Sequence, residues 1–287
     1  MINALEVNSL CKTYGDFKLR DVSFALPAGY IMGFVGQNGA GKTTTIRLIL
    51  NMARRESGEV RVFGLDNIQG ELAVKQEIAA VFDEIFFVDS WRVHKVEKAV
   101  KGFYKKWDSD RFTEYLKRFD LSADRQVKEL SRGMKMKLML AVAMSHGAKL
   151  LILDEPTSGI DPVARDELLN ILRDYISDGE KSVFFSTHIT SDLERIADYI
   201  TLISNGRVFY TGTKDDLLEH FYVVKGGTDD LTDTLKAHLI GPSINRVGFD
   251  GLLPVAQSAL LSGRLVTEQP TIDEILIHVS KEGGLDA

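Results

Sequence analysis

The segment Gly36-Gln37-Asn38-Gly39-Ala40-Gly41-Lys42-Thr43 constrains this chain more than any other part of its sequence. It satisfies the phosphate-loop pattern G-x-x-x-x-G-K-[ST], and its surroundings are those the pattern needs. The apolar run Ile31 to Val35 precedes it, and a helix-period run containing Ile46, Leu48 and Ile49 follows. A strand must therefore turn directly into a helix, with the glycines letting backbone N–H groups face inward. The helix N-terminus adds a partial positive charge, so the turn is a cradle for phosphate. Asn38, Ala40 and Thr44 join the candidate binding set. Lys42 can reach terminal phosphates, and the Thr43 hydroxyl is placed to bind Mg2+.

The rest of the chain supplies the sheet that such a turn requires. Short apolar runs alternate with helix-period segments, which predicts an α/β fold with a parallel sheet and crossover helices. Strands are expected at Ile31 to Val35, Ile78 to Phe82, Leu150 to Leu153, Val183 to Ser186 and Tyr199 to Ile203. Leu168, Ile171, Leu172, Tyr175 and Ile176 form the apolar face of a helix between two of them. Asn205-Gly206, set between Ile200-Thr201-Leu202-Ile203 and Arg207-Val208-Phe209-Tyr210, signals a hairpin. With 287 residues, 44% of them apolar, the chain can bury one large core, or a core plus an appendage.

Trp91 to Gly147 is rich in Lys, Arg and helix formers and reads as a helical insert. After about Phe221, Gly226-Gly227, Gly241-Pro242 and Gly263 punctuate shorter segments. Thr271 with Glu274 forms a capping box for a last helix, Ile272 to Lys281. The expected division is a main domain at 1–220, with the insert at about 86–147, and a small C-terminal extension at 221–287. The extension reads as a packed appendage that can add dimer contacts.

Leu150-Leu151-Ile152-Leu153-Asp154-Glu155-Pro156 is a buried strand that ends on two adjacent acids. Side chains alternate along a strand, so Asp154 and Glu155 can take different tasks. One carboxylate can hold the metal of an NTPase while the other orients or deprotonates water. The plain alternative is a pair of solvated acids, and the phosphate loop decides against it. His188 follows Val183-Phe184-Phe185-Ser186 and so stands at another strand's carboxyl end, where open parallel sheets bind ligands. A lone histidine is more often structural. Sharing an edge with Asp154 and Gly36 makes this one a candidate contact for a γ-phosphate.

From about Leu5 to Leu218 these residues resemble the ATP-binding subunits of ABC (ATP-binding cassette) transporters. The diagnostic piece is Leu130-Ser131-Arg132-Gly133-Met134, a variant of the family's LSGGQ signature, set shortly before the Asp154 strand. Ser158-Gly159-Ile160-Asp161 is similar to the D-loop, and Thr187-His188 to the switch histidine. The resemblance implies a RecA-like P-loop NTPase core, an N-terminal antiparallel β subdomain and an insert carrying the signature. It implies ATP and Mg2+ as cofactors, and a head-to-tail dimer, homodimer or heterodimer. In that dimer the phosphate loop of one cassette faces Ser131 and Gly133 of the other. By the same resemblance Tyr14 stacks on adenine, Asp154 holds Mg2+, Glu155 is the general base and His188 holds the γ-phosphate.

Two departures stand out. Arg132 and Met134 replace a glycine and a glutamine of the signature. Asp83, followed by Glu84, stands where the family has a glutamine that joins the metal and water shell to the membrane subunit. As a carboxylate, Asp83 is expected to ligate Mg2+ and take part in catalysis. Within the family the features look most like single-cassette exporters of the ABC-2 type. Those handle antibiotics, bacteriocins or amphipathic peptides, phenol-soluble modulins among them.

The formal net charge of −6 argues against non-specific nucleic-acid binding. Cys11 is the only cysteine, so no internal disulfide is possible, which suits a reducing compartment. Met1 to Leu10 lacks the layout of a signal peptide. No run approaches the ~18 apolar residues of a transmembrane helix. A membrane role must therefore come through a separate transmembrane permease subunit, with this chain cytoplasmic and peripheral on the inner face of the membrane. Ile85-Phe86-Phe87-Val88-Asp89-Ser90-Trp91, opening the insert, is the expected docking segment; plain core packing is its alternative. A non-transport cassette acting on DNA or ribosomes predicts a long coiled coil before the signature, or two cassettes in one chain, and neither is present. A catalytically weak regulatory cassette is the other alternative, suggested by Asp83, Arg132 and Met134.

Overall fold

The computed structural model describes residues 2–84 and 86–282. Two long antiparallel strands open it, β1 (Asn3–Tyr14) and β2 (Phe17–Pro27). β3 (Ile31–Val35), buried at every position, leads through the phosphate loop into α1 (Lys42–Ile49). β4 (Ser57–Val62) and β5 (Leu65–Asp66) complete an antiparallel sheet ordered β2-β1-β4-β5. This is the N-terminal antiparallel subdomain the resemblance implied. α2 (Glu71–Glu77) then runs into β6 (Ile78–Val81), which ends one residue sooner than its apolar run; Phe82 turns half-buried onto the core instead.

The insert is helical: α3 (Val93–Val100), α4 (Ser109–Arg118) and α5 (Arg132–Ser145), the last two N-capped by Asp108 and Ser131. β7 (Leu150–Asp154), α6 (Pro162–Tyr175), β8 (Ser182–Thr187), α7 (Thr190–Ile196) and β9 (Tyr199–Ser204) rebuild the main sheet. β10 (Arg207–Thr213) closes a hairpin through Asn205-Gly206, both at positive φ as a tight two-residue turn requires. The six strands lie in the order β10-β9-β3-β8-β7-β6, and all neighbours but the β9–β10 hairpin are parallel. Registers Val35↔Thr187 and Asp154↔Ser186 bring the carboxyl ends of β3, β8 and β7 level.

Both faces of the central strands β3, β7 and β8 are covered, which is why their middle positions are apolar and buried. On one face the antiparallel sheet packs down through Phe24, whose ring stacks on Phe184 at 5.5 Å. On the other, Leu140, Leu168, Leu172 and Leu193 of the helices meet Leu151, Val183 and Phe185. Beyond α8 (Lys214–Glu219), strands β11 (Phe221–Gly226), β12 (Ile240–Ile244), β13 (Phe249–Pro254) and β14 (Val266–Glu268) form a second antiparallel sheet ordered β12-β13-β11-β14. α9 (Asp233–His238) and α10 (Ile272–Glu282) flank it. The capping box before α10 is present, with Thr271 N–H donating to Glu274 Oε2 at 2.9 Å and Glu274 N–H to Thr271 Oγ1 at 3.2 Å. Among the described residues no helix is long and apolar enough to cross a membrane.

Candidate active site

The phosphate loop leaves β3 at Gly36, where a Cβ would stand 2.3 Å from the Ile203 carbonyl oxygen. Only glycine lets the loop run this close to the end of β9. The loop then wraps a cavity of about 510 Å³ lined by Phe17, Gln37, Asn38, Gly39, Gly41, Lys42, Thr43, Thr44 and Glu155. Gly36 and Ala40 lie behind this lining and shape the turn; the Ala40 carbonyl accepts from Gly206 N–H at 3.0 Å. Lys42 is only 5% exposed, and a buried ammonium needs partners. Its Nζ donates to the Gly36 and Gln37 carbonyls at 2.7 and 3.3 Å and faces Glu155 Oε1 at 3.2 Å. All three ammonium hydrogens thus have an acceptor within reach.

The two acids at the end of β7 are placed differently, Asp154 closing the strand and Glu155 lying just beyond it. Asp154 is buried and accepts from the Ser186 hydroxyl at 2.6 Å; the same hydroxyl accepts the Glu155 N–H at 2.9 Å. One serine on the neighbouring strand therefore fixes both. Glu155 has a φ of 50°, a left-handed conformation that costs a non-glycine residue about 1–3 kcal/mol and gathers at functional sites. That turn carries its carboxylate into the cavity wall. While Oε1 faces Lys42, Oε2 lies 2.7 Å from His188 Nδ1. A carboxylate only accepts, so Nδ1 carries the hydrogen of this contact. Asp192, fully buried, accepts from Thr157 Oγ1 at 2.6 Å and Arg165 Nε at 2.7 Å, tying the loop after β7 to the helix after His188.

The remaining expected residues lie outside the cavity lining. Tyr14 is exposed at the end of β1, with Lys12 Nζ 5.0 Å from its ring centroid, and does not line the cavity. Phe17, its partner in the β1–β2 register, does. Sequence reasoning missed Phe17, although the hairpin across Gly15-Asp16 sets the two residues opposite each other. Ser131 caps α5 by accepting from Met134 N–H at 3.3 Å, and Gly133 packs α5 closely on α6, a Cβ there standing 3.2 Å from that of Ala164. Both belong to the insert, outside this chain's own cavity lining. Asp161 caps α6, accepting from Val163 and Ala164 N–H at 3.1 and 3.0 Å. Asp83 is also outside the cavity lining, and its carboxylate is paired with Arg132.

In the expected docking segment, Phe87 and Trp91 are half-buried against the main core, Phe86 is exposed, and Ile85 lies outside the described residues. A more exposed apolar surface lies elsewhere. Leu72 (84% exposed), Phe103 (76%) and Met52 (59%) border a groove of about 420 Å³ that Leu50, Ile78 and Tyr104 also line.

A family model described as "ABC transporter" matches residues 19–158. The chain is 30% identical over 212 residues to the bacitracin transport ATP-binding protein BcrA of Bacillus licheniformis, covering 72% of this chain and 69% of that one. It is 29% identical to the ABC transporter ATP-binding protein YtrB of Bacillus subtilis, over 78% of this chain and 77% of the relative. The Nod factor export ATP-binding protein I of Rhizobium etli matches at 28%, over 87% and 81%. Among solved structures, an ATP-binding subunit of an ABC transporter superposes with a TM-score of 0.69 at 27% identity, covering 75% of this chain and 92% of that one. The ADP conformation of the ATP-binding cassette MJ1267, at 22% identity and a TM-score of 0.66 over 75% and 93%, shares the fold.

Proposed function

The chain belongs to the ATP-binding subunits of ABC transporters and is an ATPase, and from that premise we infer the motor of an exporter that dimerises around ATP and drives a separate transmembrane subunit. The observation that carries the chemistry is Glu155, strained into the cavity wall between Lys42 and His188. Lys42 exchanges its contacts with the loop carbonyls for phosphate oxygens. Glu155 accepts the proton of the attacking water, as a positioned general base. His188, oriented by Glu155, holds the γ-phosphate. The Thr43 hydroxyl and Asp154 carboxylate are hard oxygen donors of the kind Mg2+ takes, and they would hold it. When bound, Mg2+ neutralises charge on the phosphate oxygens. Tyr14 and Phe17 offer aromatic surface to the base, and Ser131 with Gly133 completes the site of a second cassette, identical or not.

Export is supported by the relatives, one named for bacitracin transport and another for Nod factor export. The apolar groove at Leu72 and Phe103 suits a helix of the transmembrane subunit, since such binding needs a few central apolar anchors. Residues 1–220 are the motor in this reading, held at the inner face of the membrane through that partner, and 221–287 are its extension.

Glu155→Gln tests the assignment. ATP binding should persist, phosphate release should fall by ~10²–10⁴-fold, and ATP-stabilised dimers should accumulate in light scattering. Near-normal phosphate release would refute the general-base role.

A further inference from the structure

Asp83 and Arg132, two of the positions where the sequence leaves the family pattern, lie 49 residues apart and meet as an ion pair. Arg132 opens α5 and Asp83 stands in the loop leaving β6, so the pair spans from the insert to the main sheet. The guanidinium also lies across Gly159 in the loop after β7, where a Cβ would stand 2.6 Å from Nη1 and 2.9 Å from Cζ. Any side chain at Gly159 would push the arginine off this path. Local electrostatics disfavour the arrangement. A cation in the first turn of a helix faces the positive end of the helix dipole, and this first turn carries no acid of its own. Asp83 supplies the missing negative charge from a different element.

We propose that Asp83 and Arg132 form a clasp that fixes the N-terminal end of α5, with Ser131 and Gly133, against the loops leaving β6 and β7. Arg132 is then a positioning residue for ATP hydrolysis. This rests on the reading that the same end of α5 meets the nucleotide of a second cassette, and it replaces metal ligation as the task of Asp83. Both side chains are 46% exposed, and an exposed pair of this kind is weak enough to open and close during turnover. The planar guanidinium fork still fixes a direction, which a lysine ammonium would not.

The test compares the full-length chain with Asp83→Asn, Arg132→Gln and the swap Asp83→Arg/Arg132→Asp. Amide hydrogen exchange is read without nucleotide in the first turn of α5 and at 157–160. The ATP and Mg2+ concentrations for half-maximal turnover are read separately. Each single variant should speed exchange and raise the ATP requirement by about 2- to 5-fold. The swap should recover both, and about 0.5 M salt should move the unsubstituted protein toward the single variants. A swap no better than the single variants overturns the clasp. So does an Asp83→Asn protein with a shifted Mg2+ requirement beside an Arg132→Gln protein that is unchanged, which returns Asp83 to the metal shell. Exchange that follows the pair while the ATP requirement stays fixed overturns the positioning role. The second-cassette reading is judged apart from all of these, by whether Glu155→Gln forms ATP-stabilised dimers.

Discussion

His146, immediately after α5, should make this protein acid-sensitive in a way that one substitution removes. Its side chain is 1% exposed, neither ring nitrogen has a hydrogen-bond partner among the described residues, and Tyr104 stacks on it at 3.8 Å. Burial penalises the charged imidazolium and holds the pKa down at about 4, against an ordinary 6.5. The unfolded chain therefore binds a proton between these values that the folded chain refuses, so stability rises with pH across that window. The contribution is fully present above pH 6.5 and is lost as pH falls through 4. Titrating between the two pKa values gives a loss of about 2 kcal/mol between pH 7.5 and pH 5. For a chain of this size that is roughly 3 °C in melting temperature. His146→Phe keeps a ring against Tyr104 and removes the titration. Urea unfolding of both proteins at the two pH values isolates the effect, because other groups titrate alike in each. The variant should lose about 2 kcal/mol less than the unsubstituted protein on acidification. Parallel losses would refute the argument, whatever the absolute stability of the variant.

Asn67 is buried and donates through Nδ2 to the Leu48 and Ile49 carbonyls at 2.9 Å each, closing the C-terminal end of α1 behind the phosphate loop. Asn67→Ala should cost about 1–3 kcal/mol in urea unfolding, and an unchanged midpoint would show that water replaces the amide. Leu72→Ala and Phe103→Ala should weaken assembly with the transmembrane subunit by ~1–3 kcal/mol and leave the melting temperature of the isolated chain unaltered. Lower melting with unaltered assembly would reject the groove as its seat.

The parts of this fold that were legible in the sequence are those written in short windows. The phosphate loop is contiguous, the five strands are short and mainly apolar, and Asn205-Gly206 sets its turn without help from distant residues. The Thr271–Glu274 capping box is local in the same sense. Asp154 and Glu155 were legible as a pair, but the hydroxyl that separates their tasks belongs to Ser186, on a neighbouring strand. Asp83 shows the limit most clearly. Its residue type and position suggested a metal ligand, and its partner depends on how the insert is turned against the sheet, which no window of sequence encodes. The groove has the same character. Met52 follows α1, Leu72 lies on α2 and Phe103 sits beyond α3, and each alone reads as an ordinary exposed apolar residue. Phe87 and Trp91 drew notice as aromatic residues of one short segment, and both lie half-buried against the core.

The composition shift at Phe221 marks a change of strand type, from a parallel sheet buried on both faces to an antiparallel one. Packing does not stop there. Phe221, Val223, Leu252, Ile272, Ile275 and Val279 belong to the same apolar cluster as Leu151 and Phe185 of the main sheet. Thr190, two residues beyond His188, has its hydroxyl 3.4 Å from Asp273 at the start of α10. Further along that helix, Leu276, Val279 and Ser280 enclose a cavity of about 150 Å³ together with Gln37, Asn38, Gly39, Ala40 and the turn at Ser204 and Asn205. The helix is thus built against the outer side of the loop whose inner side faces the candidate nucleotide site. A close-packed interior transmits displacement because it cannot compress, whereas a void of this size leaves the loop room to move.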